Sequence, residues 1–298
     1  MPRSVALFLG RVFARFVYYL SKFTPYRQIL TQNIRITLPL SEKGCMQVAK
    51  KHVMSLSENI VDLLRIPKIS NENIDQIVDF IDLEYYYQAL SENKGIIMIS
   101  AHYGCWELLG VALSLKLDVK LNVLVQKPTN SAFDRLFFRY REMFNIKTHY
   151  NSDGIKGLRP LFRSLENNEC LGFLIDQHGE SEDTFGRFFG KVVSIPSGPA
   201  HFAYRTKAPI LPAFIRKNKN NKHEVVFFPP IHIIEGDKEK EIYKVSQQLY
   251  RVIERFIKNK PDEWLWLYER WNKLSIDGQE IVNSIENFKN KEFLNENK

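Results

Sequence analysis

Five short apolar runs constrain this chain more than any other feature: GIIMISAH (95–102), VKLNVLVQ (119–126), CLGFLIDQ (170–177), PILPAFIR (209–216) and HEVVFFPP (223–230). Their length and branched side chains read as buried strands. Between the first four, WELLGVALSL (106–115), SAFDRLFFRYREMF (131–144) and IKGLRPLFRSL (155–165) have helical spacing. A long amphipathic helix, KEKEIYKVSQQLYRVIERFIK (238–258), follows the last run and stops before Pro261. Strands alternating with crossover helices predict an α/β fold with a largely parallel, mixed sheet flanked by helices. Working residues in such sheets gather at the C-terminal strand ends. His102, Asp176 and Gln177 stand there, with Lys127 just past another end.

Ahead of the alternation the chain is helical, with a long amphipathic segment over 42–65. The segment SVALFLGRVFARFVYYLSKF (4–23) is interrupted by Arg11 and Arg15, which spoils a span of about twenty apolar residues. At about 100° per residue, Arg11, Arg15 and Lys22 share one helical face, while Leu7, Leu9, Phe13, Phe16, Val17 and Leu20 cover much of the rest. A helix lying in a bilayer interface has this pattern, and a helix packed on the protein's own core is the alternative. No small-residue cleavage site follows, so no removable signal peptide is expected. Residues 1–66 are read as a membrane-associated helical region and 67–298 as the catalytic domain.

The formal net charge is +8, unevenly spread: residues 1–65 hold ten Lys/Arg against three acids, and residues 120–163 hold nine against three. Basic faces of this kind attract anionic partners. No zinc-finger, RNP or basic-zipper signature is present, so no nucleic-acid partner is expected and an anionic membrane surface is preferred. Cys45, Cys105 and Cys170 lack metal or disulfide spacing and fit a reducing compartment.

AHYGCWE (101–107) delivers an imidazole, His102, and a carboxylate, Glu107, at the turn from a strand into a helix. Neutral imidazole is the usual general base near neutral pH and needs a partner to fix its tautomer. Glu107 on the first helical turn can fold back on His102, with Gly104 permitting the tight turn. Cys105, the one nearby nucleophile, points away. Such a dyad suits direct transfer to an acceptor hydroxyl; the bland alternative is a core histidine with Glu107 complementing the helix dipole. No G-x-S-x-G elbow, Walker A or G-x-G-x-x-G is present, which disfavours serine hydrolases and nucleotide folds. Asp176, His178 and Glu180 alternate in the manner of metal ligands, but the run leaves the strand at Gly179, and no metal is assigned.

These residues resemble the bacterial lipid A late acyltransferases, a family of the lysophospholipid acyltransferase superfamily. AHYGCWE looks like the superfamily's H-x4-[DE] motif. QNIRITLP (32–39), LIDQHG (174–179), FFGKVVSIPSGPAHFAYRTKAPILPAFIR (188–216) and WLWLYERW (264–271) match further blocks in the family's order. The resemblance implies a glycerolipid acyltransferase-like fold that moves a fatty acyl chain from acyl carrier protein onto a hydroxyl of a lipid A precursor. It implies work at the cytoplasmic face of the bacterial inner membrane and no cofactor. His102 becomes the base, Glu107 its partner, and Arg159 and Asp176 part of the active site. Substrate contacts are expected from Gly104, Lys127, Gln177, Arg187, Phe188, Phe189, Gly190, Ser197 and Gly198. Tyr268 replaces the family's usual His and Ile195 a frequent Thr, and the N-terminal helix is more charged than the usual membrane span. A glycolipid mannoside or lysophospholipid acceptor, and a non-catalytic lipid-binding descendant of the fold, are the competing readings. Trp264, Trp266 and Trp271 are expected as core anchors.

Overall fold

The protein is described by a computed structural model covering residues 1–125, 132–150, 154–178 and 185–271. Three helices lead: α1 (Arg3–Leu20), α2 (Pro25–Thr37) and α3 (Glu42–Leu64). Pro25 opens α2, where its missing N–H costs nothing, and Ser41 caps α3 by accepting from the Gly44 N–H at 3.2 Å. The alternation then runs α4 (Ile74–Ile77), β1 (Val78–Ile81), α5 (Glu84–Leu90), β2 (Ile96–Ser100), α6 (Trp106–Leu117), β3 (Leu121–Val125), α7 (Ala132–Met143), β4 (Lys147–Tyr150), α8 (Gly154–Glu166) and β5 (Cys170–Leu174). A hairpin of β6 (Phe185–Phe188) and β7 (Lys191–Ser194) precedes α9 (Gly198–Thr206), β8 (Ile210–Lys217), β9 (His223–Phe227) and α10 (Lys238–Asn259).

Seven strands form one sheet in the order β1-β9-β8-β2-β5-β3-β4, parallel at every junction but β8–β9. All five expected strands are present. Strands β1 and β4 are additional: each has four residues and is half-buried along most of its length, so neither leaves an apolar run.

The central strand β2 is buried throughout and shows why both faces need cover. Ile97 and Ile99 pack in one cluster with Leu161, Ala203 and Ile253, while Ile96 and Met98 pack in the other with Leu108, Ala112 and Tyr86. Leu30, Ile34, Leu38, Cys45 and Ala49 join the first cluster, so the leading helices share the core of the sheet. Register decides the rest. Ile96 pairs with Cys170 and Ser100 with Leu174, which brings the residues just beyond these two strands, His102 and Asp176, side by side.

Candidate active site

The Asp176 carboxylate is 2 % exposed and gathers three donors at the strand ends. Nδ1 of His102 lies 2.8 Å from Oδ1, the His102 backbone N–H donates to Oδ2 at 3.0 Å, and the indole Nε1–H of Trp264 donates to Oδ2 at 2.8 Å. Burial pushes the Asp176 carboxyl upward, but the adjoining His102 and the bonds from His102 and Trp264 outweigh it and hold it below the usual carboxylate range. An ionised Asp176 requires a proton on Nδ1 of His102, which leaves the Nε2 lone pair free to act as a base. That nitrogen faces a cavity, and its side-chain neighbour there is the Gln177 amide at 3.5 Å.

The Trp-rich segment reaches this place through the backbone. Residues 263–265 run beside 102–104: Leu265 N–H donates to the His102 carbonyl and Gly104 N–H to the Glu263 carbonyl, both at 3.0 Å. Gly104 adopts φ +58°, and a Cβ there would collide with the Ile215 carbonyl, so only glycine fits. Its role is to turn the chain; it does not line the cavity. Asn33 of α2 anchors the same segment by donating to the carbonyls of Trp266 (2.7 Å) and Tyr268 (3.0 Å).

Glu107 is placed differently from its expected role as the partner of His102. Its carboxylate is gripped by Arg141 of α7, with Nε donating to Oε2 at 3.0 Å and Nη2 to Oε1. The second residue of α6 faces the neighbouring helix, while the parallel register has already supplied His102 with Asp176. Cys105 is inert: Sγ contacts the Asn59 carbonyl, and burial, aided by the Asp62 charge, pushes its thiol up to about 12.

The cavity has a volume of about 640 Å³. His102, Trp106, Glu107, Arg141, Gln177 and His178 give it polar or amphipathic walls, and Met98, Leu109, Leu113, Leu121, Val123 and Ile146 line an apolar part between the sheet, α6 and α7. Among the described residues, the remaining expected contacts lie outside that lining. Arg159 is exposed on α8 and makes no hydrogen bond or ion pair among the described residues. The Arg187 backbone N–H donates to the Gln247 side-chain oxygen and its carbonyl accepts from the Gln247 amide, and Phe188 is wholly buried against Tyr250, Trp264 and Trp271. Phe189, at φ +51°, donates its N–H to Glu254 at 2.6 Å, and Gly190 completes the β6–β7 turn at φ +73°. The FFG block thus builds an aromatic wall behind the Asp176–Trp264 contact. Ser197 and Gly198 start α9, directly after the lining residue Pro196. Lys127 lies outside the described residues, as does Glu180 of the metal alternation; Nδ1 of His178 instead faces Arg270 at 2.9 Å. The Tyr268 hydroxyl accepts the His178 backbone N–H at 3.3 Å.

Three further residues contribute to the site without a local sequence signal of that role. Trp264 stands in the WLWLYERW block, where a tryptophan also suits a core anchor, and Arg141 is one cation among nine in a basic stretch. Trp106, whose ring meets His102 edge-on at 5.2 Å, sits inside the motif itself.

With an imidazole held by a buried carboxylate and opening on a partly apolar cavity at the strand ends of an α/β sheet, the chain carries an arrangement suited to acyl transfer. It belongs to the bacterial lipid A biosynthesis acyltransferase family, whose profile matches residues 1–273. The chain is 24% identical over 231 residues to a lipid A biosynthesis acyltransferase of Haemophilus influenzae, covering 77% of this chain and 70% of that one. It is 22% identical over 211 residues to a phosphatidylinositol mannoside acyltransferase of Mycolicibacterium smegmatis, covering 70% and 67%. Among solved structures, the 1-acyl-sn-glycerophosphate acyltransferase PlsC of Thermotoga maritima aligns with a TM-score of 0.39 and 14% identity, covering 85% of this chain and 99% of that one.

Proposed function

We propose that this protein transfers a fatty acyl chain from acyl carrier protein to a hydroxyl of a lipid A precursor at the cytoplasmic face of the bacterial inner membrane. The observation that carries the chemistry is the His102–Asp176 pair at the edge of the cavity. Nε2 of His102 removes the acceptor hydroxyl proton as the oxygen attacks the thioester carbonyl, and Asp176 stabilises the imidazolium that forms. Collapse of the tetrahedral intermediate breaks the carbon–sulfur bond, and the departing thiolate takes the proton back from His102. The apolar part of the cavity holds the acyl chain out of water, where its burial contributes about 0.8 kcal/mol per methylene. Glu107 acts through Arg141, keeping a guanidinium fixed in the cavity wall. Residues 1–66 serve as the membrane-associated region and 67–298 as the acyltransferase domain.

A mannoside or other glycolipid acceptor is the second reading, favoured by the mycobacterial relatives of similar identity. The test is acyl transfer by the purified chain from acyl carrier protein, offered a lipid A precursor and a phosphatidylinositol mannoside side by side, with lipid A mass spectra from cells with and without the protein. Acylation of the mannoside alone, with an unchanged lipid A spectrum, would overturn the first reading. An acyl-coenzyme A donor in parallel tests the carrier-protein assignment.

A further inference from the structure

Helix α1 turns Arg3 and Arg11 inward and its apolar side outward. Arg3 makes a two-pronged ion pair with Asp62 of α3, at 2.8 and 2.9 Å, and Arg11 Nε meets Glu58 of α3 at 2.5 Å. Further along, the Tyr18 hydroxyl reaches the Met46 carbonyl at 3.4 Å. The partners fall in number as α1 proceeds, so the two helices lie antiparallel in contact along most of their length. Ala6, Gly10 and Ala14, spaced by four, form the seam. A Cβ on Gly10 would lie 2.9 Å from Val61 and 3.2 Å from the Ser57 hydroxyl, which donates to the Gly10 carbonyl at 2.8 Å. Small residues at this period let helix backbones approach closely. Asp62 also holds Lys217 (2.8 Å) and His223 (3.0 Å), so the latch reaches into the sheet strands β8 and β9.

The opposite side of α1 exposes Phe8, Leu9, Val12, Phe13, Phe16 and Leu20, with Phe8 62 % and Phe13 64 % exposed. Tyr19 near the end of the helix, and Phe23 and Tyr26 beyond it, are exposed as well. A contiguous apolar surface of this extent is not left to water. Its edge carries exposed Arg15 and Lys22, and no Asp or Glu occurs before Glu42. An apolar band edged by Arg15 and Lys22, in a stretch of chain without acids, complements an anionic lipid surface better than it does a second copy of itself, whose cations would repel.

We infer that α1 does not cross the bilayer but lies flat in one leaflet, latched to the catalytic body by Arg3–Asp62 and Arg11–Glu58. The inference rests on the membrane reading proposed above and gives it a geometry. Length does not decide between the two modes, since 18 residues of helix span about 27 Å, near the thickness of a hydrocarbon core. The charges decide. Spanning would pull Arg3 and Arg11 out of their ion pairs into or across hydrocarbon and leave Asp62 and Glu58 without these partners.

The test uses the full chain bound to the outside of sealed phosphatidylethanolamine–phosphatidylglycerol vesicles. The native cysteines are all buried, so Ser4→Cys and Lys22→Cys, made separately, report the two ends of the helix to a membrane-impermeant maleimide. Equal labelling of both from outside, unchanged by detergent, is expected. Protection of Ser4→Cys until detergent is added would mean a spanning helix and overturn the inference. The double variant Phe8→Glu/Phe16→Glu should bind the vesicles about a hundredfold more weakly while acylating a detergent-dispersed acceptor as wild type does. Wild-type vesicle binding by that variant, or a wild-type dimer that it converts to monomer without any change in vesicle binding, would also overturn it. None of the binding readouts requires turnover, so a wrong acceptor assignment leaves them intact.

Discussion

Asp176→Asn is the most searching single change at the site because it keeps the shape and removes only the charge. Two N–H donors, from the His102 backbone and the Trp264 indole, point at Oδ2. The amide oxygen of an asparagine must therefore take that position, leaving its NH2 facing Nδ1 of His102. Two donors cannot face each other, so the imidazole has to move its proton to Nε2, the nitrogen that should receive the proton of the acceptor hydroxyl. Inverting the tautomer of a base in this way costs about 10⁴ in kcat in the serine-protease triad. Because the buried surroundings here offer the asparagine no second arrangement, we expect a fall of about 10³–10⁴, or roughly 4–5.5 kcal/mol of transition-state stabilisation. The assay is initial-rate acyl transfer from acyl carrier protein at neutral pH, with thermal melting to confirm that the fold survives. Trp264→Phe is the milder companion: losing one hydrogen bond to a carboxylate should lower kcat by about tenfold or more. Turnover within tenfold of wild type in Asp176→Asn would refute the assignment of Asp176 as the orienter of His102.

Glu107→Ala and Arg141→Ala should each be destabilising, by about 3–5 kcal/mol if the surviving charge stays buried, and in a double-mutant cycle their effects on stability and on kcat/KM should couple strongly to each other; Arg159→Ala, on an exposed position, should match wild type in both measurements. Gly110 lines the cavity, and a Cβ there would come within 3.2 Å of Ile146 and 3.3 Å of Leu121, so Gly110→Val should lower kcat/KM for long-chain donors more than for short ones in a donor-length series. His52 is wholly buried and desolvation lowers it to about 4 against a backbone bond to Asp262 that raises it; the folded state therefore binds this proton less readily than the unfolded chain, and its contribution, about 3 kcal/mol, is fully lost only as pH falls from about 6.5 through 4. Urea titrations at pH 7 and pH 4 should show a smaller acid loss in His52→Gln than in wild type.

The strand–helix alternation was legible in the chain because a strand buried on both faces leaves a continuous apolar run and an amphipathic helix leaves a 3.6-residue period, and both signals are local. His102 was legible for the same reason: it stands where such a run ends. Its partner was not. Glu107 is five residues away in sequence and Asp176 is seventy-four, yet parallel register delivers the distant one, and Glu107 goes to Arg141 on another helix. The short polar strand KTHY (147–150) and the packing role of the FFG block were hidden likewise, since one gains its partners from β3 and the other from Trp264, Tyr250 and Trp271. Helix α1 divides along the same line. Periodicity showed that it has a charged side and an apolar side; only Asp62 and Glu58, presented by α3, decided that Arg3 and Arg11 face inward and the phenylalanines face out. Local pattern sets which element forms, because it depends on a few neighbouring side chains. Which charges meet depends on register and packing between segments far apart in the chain, and no window of sequence contains both partners.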